Sequence, residues 1–442
     1  MGIYKDCDIR GVYGEDLTEE VVATIGGAVA QMLEGKSIVV GGDYRTHTPQ
    51  LKKAFVDALL AAGADVYDVG QVSTPQLYFS KRFLGTYASA QVTASHNPAK
   101  YNGVKLMFGE QPALADTIGR VQELAEKGEF PAGEGTLHTV DTTDEYEKML
   151  VGRFGGMGRK LKVVVDAGNG AMSVVAPEVM AKLGFDVVPL FCEYDGTFPN
   201  RNPNPALAEA TVPLCEKVAE VGADFGVAFD GDGDRAIFVD ENGKALIAEE
   251  ALVIYVNHLV KPGDSVVYDL KCSSIVKNAV LAHGGEPIME RSGHGFIRGH
   301  LIRANSVLGG EVSGHYFFNE LHGDDGLYAT VVMADILTNS DRSIRGELSD
   351  VTYTSITPDI RVRATPDEID AVFERMEAWA ADEGIEPVRV DGVRLEFADG
   401  SWALLRRSIT EPAFTMRFEA ASDEGLAALK ARAAEKLQVK ID

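Results

Sequence analysis

The chain has 442 residues, 45% hydrophobic and 25% charged, the proportions of an ordinary soluble globular protein with more than one core. Its formal charge of −25 argues against nucleic acid and anionic membranes as partners, since both need a basic footprint, yet leaves room for a phosphorylated small molecule on a local Arg and Lys cluster. No apolar run is long enough to span a bilayer, MGIYKDCDIRG does not read as a secretory signal, and four scattered cysteines (Cys7, Cys192, Cys215, Cys272) without a CxxC suit reduced thiols in a cytoplasm.

The first clear element is the Val-rich run SIVVGGD, closing on Asp43. A helical stretch, PQLKKAFVDALLAAG, follows and ends at Gly63, and ADVYDVG reads as the next strand. The apolar run SAQVTA then stops at Ser95, with His96 beside it and Pro98 behind. Pro98 biases Asn97 away from helix, so the loop is stiff, which suits a nucleophile held in line with its target. A serine that merely ends a strand is the plainer alternative.

The same unit returns twice. LKVVVDAGNG ends its strand at Asp166, MSVVAPEVMAKLG is a helix ending at Gly184, and FDVVPLF follows. DSVVYDLKC ends at Asp269, SSIVKNAVLAHGG runs to Gly284, and EPIME follows. Strand–loop–helix–strand units of this kind imply parallel βαβ construction, and their matching order predicts three related α/β domains.

Between the second and third units lies GVAFDGDGDRAIFVD. Asp230, Asp232 and Asp234 alternate with glycines, so three carboxylates can converge on one hard cation, and oxygen ligands suit Mg²⁺. Without a cation they would repel one another. An EF-hand is excluded, because the sixth loop position is Arg235 rather than glycine and both flanks read as strands. Further on, GGEVSGHYFF presents Glu311, Ser313 and His315 on a glycine-flanked loop, able to hydrogen-bond successive sugar hydroxyls or to serve only as a polar turn.

The C-terminal part changes character. A helix, DEIDAVFERMEAWAADEG, precedes a hairpin of VRVDGVRLEF and SWALLRRS about the turn ADGS. FTMRFEA adds a strand and SDEGLAALKARAAEKL a closing helix, giving a smaller α+β domain with an antiparallel sheet. In RRSITEP, a guanidinium, two hydroxyls and loop amides suit a phosphate dianion, and an ordinary basic turn explains the segment equally well when it is taken alone. The expected boundaries are 1–137, 138–244 and 245–347 for the α/β domains and 348–442 for the fourth.

Together these motifs resemble the α-D-phosphohexomutase family, in particular its bacterial phosphomannomutase/phosphoglucomutase branch. TASHNP is similar to the family's phosphoserine loop, DGDGDR to its metal loop, GEVSGH to its sugar loop and RRSITEPAFTMRFE to its phosphate loop and following strand. DIRGVYGEDLT, GGDYRT, YNGVKL, DLKC and RSGHGFI match in order as well. The resemblance implies four domains around a central cleft. It implies a phosphorylated Ser95 and Mg²⁺ on Asp230, Asp232, Asp234 and a phosphoserine oxygen. Hexose 1-phosphate and 6-phosphate, of mannose or glucose, would interconvert through a hexose 1,6-bisphosphate. Arg10, Lys105 and His315 would surround the reacting groups, with Lys105 and His315 as acid/base candidates and Arg10 electrostatic. Arg235, Lys271, His294, Glu311 and Ser313 would bind substrate, while Arg406, Ser408, Ile409 and Thr410 grip the non-reacting phosphate. Arg417, on the next strand, is either a ligand or structural. The expected protein is a cytoplasmic monomer or homodimer acting on sugar phosphates.

Three positions depart from the family pattern: Cys7 where Tyr is frequent, Ile409 where Gly or Asn is usual, and Arg407 where a small residue or Pro is common. A phosphoglucosamine mutase would typically carry Gln at the position of Val312 and end its last loop in Ser-Gly-Thr-Glu-Pro. A metal-dependent phosphatase with an aspartate nucleophile in DGDGD, and a sugar-phosphate binding protein without turnover, are the more distant alternatives.

Overall fold

The computed structural model describes residues 2–153, 158–408 and 412–441. The three Val-rich runs form the central strands Ile38–Gly42, Lys162–Asp166 and Ser265–Asp269, almost wholly buried on both faces. Each pairs in parallel with the strand that follows its helix: Asp65–Gln71, Asp186–Leu190 and Glu286–Glu290. On the other side each pairs in parallel with a third strand: Ala88–Val92, Phe225–Phe229 and Leu308–Gly310. That third strand is antiparallel to the next one along: Tyr101–Phe108, Ala236–Val239 and Tyr316–Phe318. One four-strand pattern therefore occurs three times, in mixed sheets. Gly63, Gly184 and Gly284, all at positive φ, end the intervening helices as the sequence implied.

The repetition positions the chemistry. Ser95 follows Ala88–Val92, Asp230 follows Phe225–Phe229 and Glu311 follows Leu308–Gly310. The serine, metal and sugar loops thus leave the equivalent strand of their repeats, at its C-terminal end, where open α/β sheets place their ligands. The first of these strands ends at Val92, two residues before the end of the apolar run; Thr93 still pairs with Gly103 before the chain turns.

The fourth sheet is antiparallel throughout, in the order Ser355–Ile356, Ala413–Ala420, Trp402–Arg407, Val393–Glu396, with Ile360–Arg363 also on Ala413–Ala420. The turn ADGS joins the hairpin expected there. Helices Pro366–Glu383 and Asp423–Leu437 contribute to a separate core around Trp379, Leu405, Met416 and Phe418. The second and third units share one core, joined through Phe238, Tyr255 and Tyr316. Among the described residues no helix is long and apolar enough to cross a membrane.

Candidate active site

Ser95 is buried, and its Oγ donates to Asp230 Oδ2 at 2.8 Å. The two residues lie 135 positions apart, in different repeats. Ser95 itself is held at φ +50°, a left-handed conformation that side chains disfavour. His96 lies beside it, with Nδ1 3.4 Å from Ser95 Oγ. Burial and the nearby Arg235 and Arg10 guanidiniums push His96 well below the usual histidine range, so its ring is neutral.

Asp230, Asp232 and Asp234 are fully buried, and each offers an oxygen within 4.8 Å of the others. Asp230 is driven well above the usual carboxylate range by burial and by its two like-charged neighbours. Lys105, on Tyr101–Phe108, stands between the other two, with Nζ 2.8 Å from Asp232 Oδ2 and 2.5 Å from Asp234 Oδ2. Burial alone would lower Lys105, but those carboxylates hold it well above its ordinary value, and it in turn holds Asp234 far below. Thr74, at the start of helix Thr74–Leu84, donates its hydroxyl to Asp232 Oδ2 at 2.6 Å and its amide to the Asp232 carbonyl. Asp232 Oδ1 and Asp234 Oδ1 remain buried without a partner. Hard oxygen donors, three carboxyls crowded enough to raise Asp230, and two unfilled acceptors fit a divalent cation.

His315 joins the group from the third repeat. Its Nδ1 lies 2.7 Å from Asp324 Oδ2, and Arg235 Nε donates to its Nε2 at 2.9 Å. Those partners assign the proton to Nδ1 and leave Nε2 as an acceptor. Burial opposes protonation of this ring, but Asp234 and Asp324 raise it above the usual histidine range, so the imidazole is a strengthened base. A second group of possible metal donors, Asp234, His315 and Asp324, overlaps the first through Asp234.

His294 opens helix His294–Ala304 and stacks on His315 at 5.6 Å between ring centres. Both its ring nitrogens lack partners, as do Glu311 Oε2, Ser313 Oγ and Arg10 Nε. Burial and Lys105 lower His294 to about 4. These buried, unmet polar atoms of the first and third repeats suit a polar ligand. Arg10 is turned to the loop after Ser95: Nη1 donates to Asn97 Oδ1 at 2.9 Å while Nη2 pairs with Asp8. Beside it a cavity of about 580 Å³ is lined by Arg10, Asn97, Cys7, Ser292 and Phe296. Cys7 lines this wall, and burial with neighbouring carboxylates pushes its thiol up to about 12.

The remaining expected residues lie toward the fourth sheet. Lys271 Nζ binds Asp359 at 2.5 Å, and Arg406 chelates Asp391 through Nε and Nη2. Ser408 is at the end of Trp402–Arg407, and its amide donates to the Ala413 carbonyl. Ile409 and Thr410 lie outside the described residues. Arg407 faces Asp370 and lies over the Phe373 ring. Arg417 is a structural tie: it donates to the carbonyls of Thr357 and Lys271 and approaches Glu249.

A serine bonded to a three-carboxylate cluster, backed by a His–Asp pair, is the arrangement on which comparison with known proteins bears. Models described as phosphoglucomutase/phosphomannomutase alpha/beta/alpha domains I, II and III match residues 2–132, 148–243 and 245–353. The chain belongs to this phosphoglucomutase/phosphomannomutase family. A phosphomannomutase/phosphoglucomutase from Pseudomonas putida is 36% identical over 435 residues, covering 97% of this chain and 94% of its own. A phosphoglucomutase from Neisseria meningitidis is 34% identical over 430 residues, covering 95% and 93%. A solved structure of a phosphoglucomutase/phosphomannomutase family protein from Burkholderia thailandensis superposes with a TM-score of 0.92 at 34% identity, covering 100% of this chain and 98% of that one. The family's shared fold accounts for the three repeats and the antiparallel fourth sheet.

Sequence reading missed several residues of the site: Thr74, Asp324, and the Arg45 and Arg201 clamps described below. GGDYRT offered Arg45 as part of a motif, and Asp324 sits in an acidic GDDG, but neither pattern names its partner.

Proposed function

We propose that the chain is a phosphohexomutase that interconverts hexose 1-phosphate and hexose 6-phosphate, of mannose or glucose, as a cytoplasmic monomer or homodimer. The observation that carries this reading is the 2.8 Å bond from Ser95 to Asp230, which puts a hydroxyl directly on the metal loop. Residues 1–137 would carry the nucleophile, 138–244 the metal loop, 245–347 the sugar loop and 348–442 the phosphate grip. Mg²⁺, held by Asp230, Asp232, Asp234 and a phosphoserine oxygen, would supply charge neutralisation for the transferring phosphoryl group.

In the first half-reaction a sugar hydroxyl oxygen attacks the phosphorus of phosphorylated Ser95. The new O–P bond forms as the Ser95 Oγ–P bond breaks, and the hydroxyl proton passes to His315 Nε2 once Arg235 turns to the substrate. Asp324 holds the ring and stabilises the resulting imidazolium. The departing Ser95 Oγ takes one proton, relayed through solvent water from the His315 imidazolium, so the proton lost by the sugar hydroxyl ends on the serine; in the dephosphorylated enzyme Ser95 donates it to Asp230. The hexose 1,6-bisphosphate turns over, and the reverse transfer returns its other phosphoryl to Ser95. Lys105 neutralises the carboxylates beside the reacting oxygen, and Glu311, Ser313 and His294 bind sugar hydroxyls through their unpartnered atoms. Lys271, Arg406, Ser408, Ile409 and Thr410 hold the non-reacting phosphate.

The test is a mutase assay with Mg²⁺ and a trace of hexose 1,6-bisphosphate, comparing mannose, glucose and glucosamine 1-phosphates. Turnover of the first two, abolished by Ser95→Ala, is expected. Preference for the amino sugar would reassign the substrate, and phosphate release that survives Ser95→Ala would overturn the mechanism.

A further inference from the structure

Ser95 is gripped from behind by a group that takes no part in the chemistry above. Arg45 follows the first central strand and is fully buried with Asp43. A guanidinium has five N–H donors. All five of Arg45's are used: Nε donates to Asp43 Oδ2, Nη1 to the carbonyls of Pro98 and Tyr101, and Nη2 to those of Ser95 and Asn97, at 2.6–3.1 Å. Four of its five bonds thus go to the backbone of the serine loop. The amide of Ser95 is held as well: it donates to Thr93 Oγ1 at 2.9 Å, and Thr93 donates to Asp43 Oδ2 at 2.7 Å. Both peptide groups flanking the left-handed Ser95 therefore trace back to one carboxylate.

The second repeat carries the same device by another route. Asp166, equivalent to Asp43, binds Arg201 Nε at 2.8 Å, and Arg201 Nη2 donates to the Phe229 carbonyl at 2.7 Å. Phe229 is the residue before Asp230. An Asp–Arg pair thus fixes the chain end that carries the nucleophile and, separately, the chain end that carries the metal loop. The two clamps meet. Phe198, three residues before Arg201, lies over the Arg45 guanidinium at 5.0 Å. A side chain at Gly231 would strike the Ser95 carbonyl at 2.5 Å, so metal loop and serine loop touch backbone to backbone. In the third repeat Asp269 takes the amide of Lys271 and the hydroxyl of Ser292, and its Oδ2 is unpartnered.

We propose that Arg45 is a positioning residue for phosphoryl transfer, setting Ser95 in register with the metal loop. The inference rests on the mutase reading. In-line transfer is sensitive to placement, and an error of about 1 Å can cost about a hundredfold in rate. Lysine cannot reproduce the fork, because its ammonium presents a point charge with three donors. Arg45 touches no substrate, so its loss should leave ground-state binding intact.

Arg45→Lys and Arg45→Ala are to be compared with wild type in kcat, KM for hexose 1-phosphate and thermal midpoint. Folded Arg45→Lys is expected to lose about a hundredfold in kcat with KM within about threefold, and millimolar guanidinium to restore part of the Arg45→Ala rate without accelerating wild type. A folded Arg45→Lys with near-normal kcat, or one in which KM rises as steeply as kcat falls, would overturn the proposal. Should neither variant fold, Thr93→Val frees the Ser95 amide while sparing the guanidinium and must show the same kcat-only loss; normal kcat there overturns it too. Inactive wild type on every hexose phosphate would instead defeat the mutase reading, which separates the two failures.

Discussion

Lys105 occupies the space between Asp232 and Asp234 that a cation's charge would otherwise neutralise. Breaking a buried ion pair from one side leaves its partners uncompensated, which costs about 3–5 kcal/mol. Lys105→Met should therefore lower the thermal midpoint sharply in a chelator, and Mg²⁺ should restore much of the loss. Equal destabilisation with and without Mg²⁺ would show that the cation does not share those carboxylates with Lys105. Residues of this site were legible in sequence where chemistry was packed into one short loop. Asp230, Asp232 and Asp234 announce themselves by spacing, and Ser95 by its stiff turn. Thr74, Arg45 and Asp324 carry no such mark, because each gains meaning from a partner elsewhere: Thr74 meets Asp232 across 158 residues, and Arg45 reaches Ser95 across 50.

At the scale of elements, the buried helix Gly326–Asn339 is set by its cap. Asp325 accepts the Tyr328 amide through Oδ1 and the Tyr146 hydroxyl through Oδ2, so one carboxyl joins this helix to Thr143–Arg153. Burial pushes Asp325 up to about 8 despite those bonds. The unfolded chain would titrate it near pH ~3.9. Between these values the folded state binds more protons than the unfolded one, so this residue makes stability fall as pH rises from about 4 to about 8 and adds no slope beyond. Asn keeps an accepting oxygen at the cap without the charge. Asp325→Asn should thus gain on wild type between pH 5 and pH 9, on the order of a few kcal/mol by denaturant unfolding. A constant difference across that range would refute the assignment. The central strands and their helices were readable because Val-rich runs, terminal Asp and closing Gly recur together. The antiparallel strands beside them were less so: Tyr316–Phe318 and Gly323–Asp324 are three and two residues long, too short to show a period.

Over the whole molecule, the first three repeats meet at the serine and metal loops, whereas the fourth unit has its own core and leans on the third. Leu270 packs with Trp402 and Leu404, Lys277 pairs with Glu396 at 2.7 Å, and Glu419 receives the Ser274 amide. Lys271 is the point where this junction and the proposed substrate site compete. Its ammonium is committed to Asp359 of the fourth unit, and the two side chains are 15% and 38% exposed. For Lys271 to reach a phosphate, that bond must open, so each substrate works against a small closed-junction term. A partly exposed pair of this kind contributes about 0.2–1 kcal/mol, at most about a fivefold change in binding. Asp359→Asn should accordingly lower KM by up to about fivefold while kcat moves less, because the ammonium is free before the substrate arrives. If KM instead rises, Asp359 orients Lys271 rather than restraining it, and the junction is part of the phosphate grip.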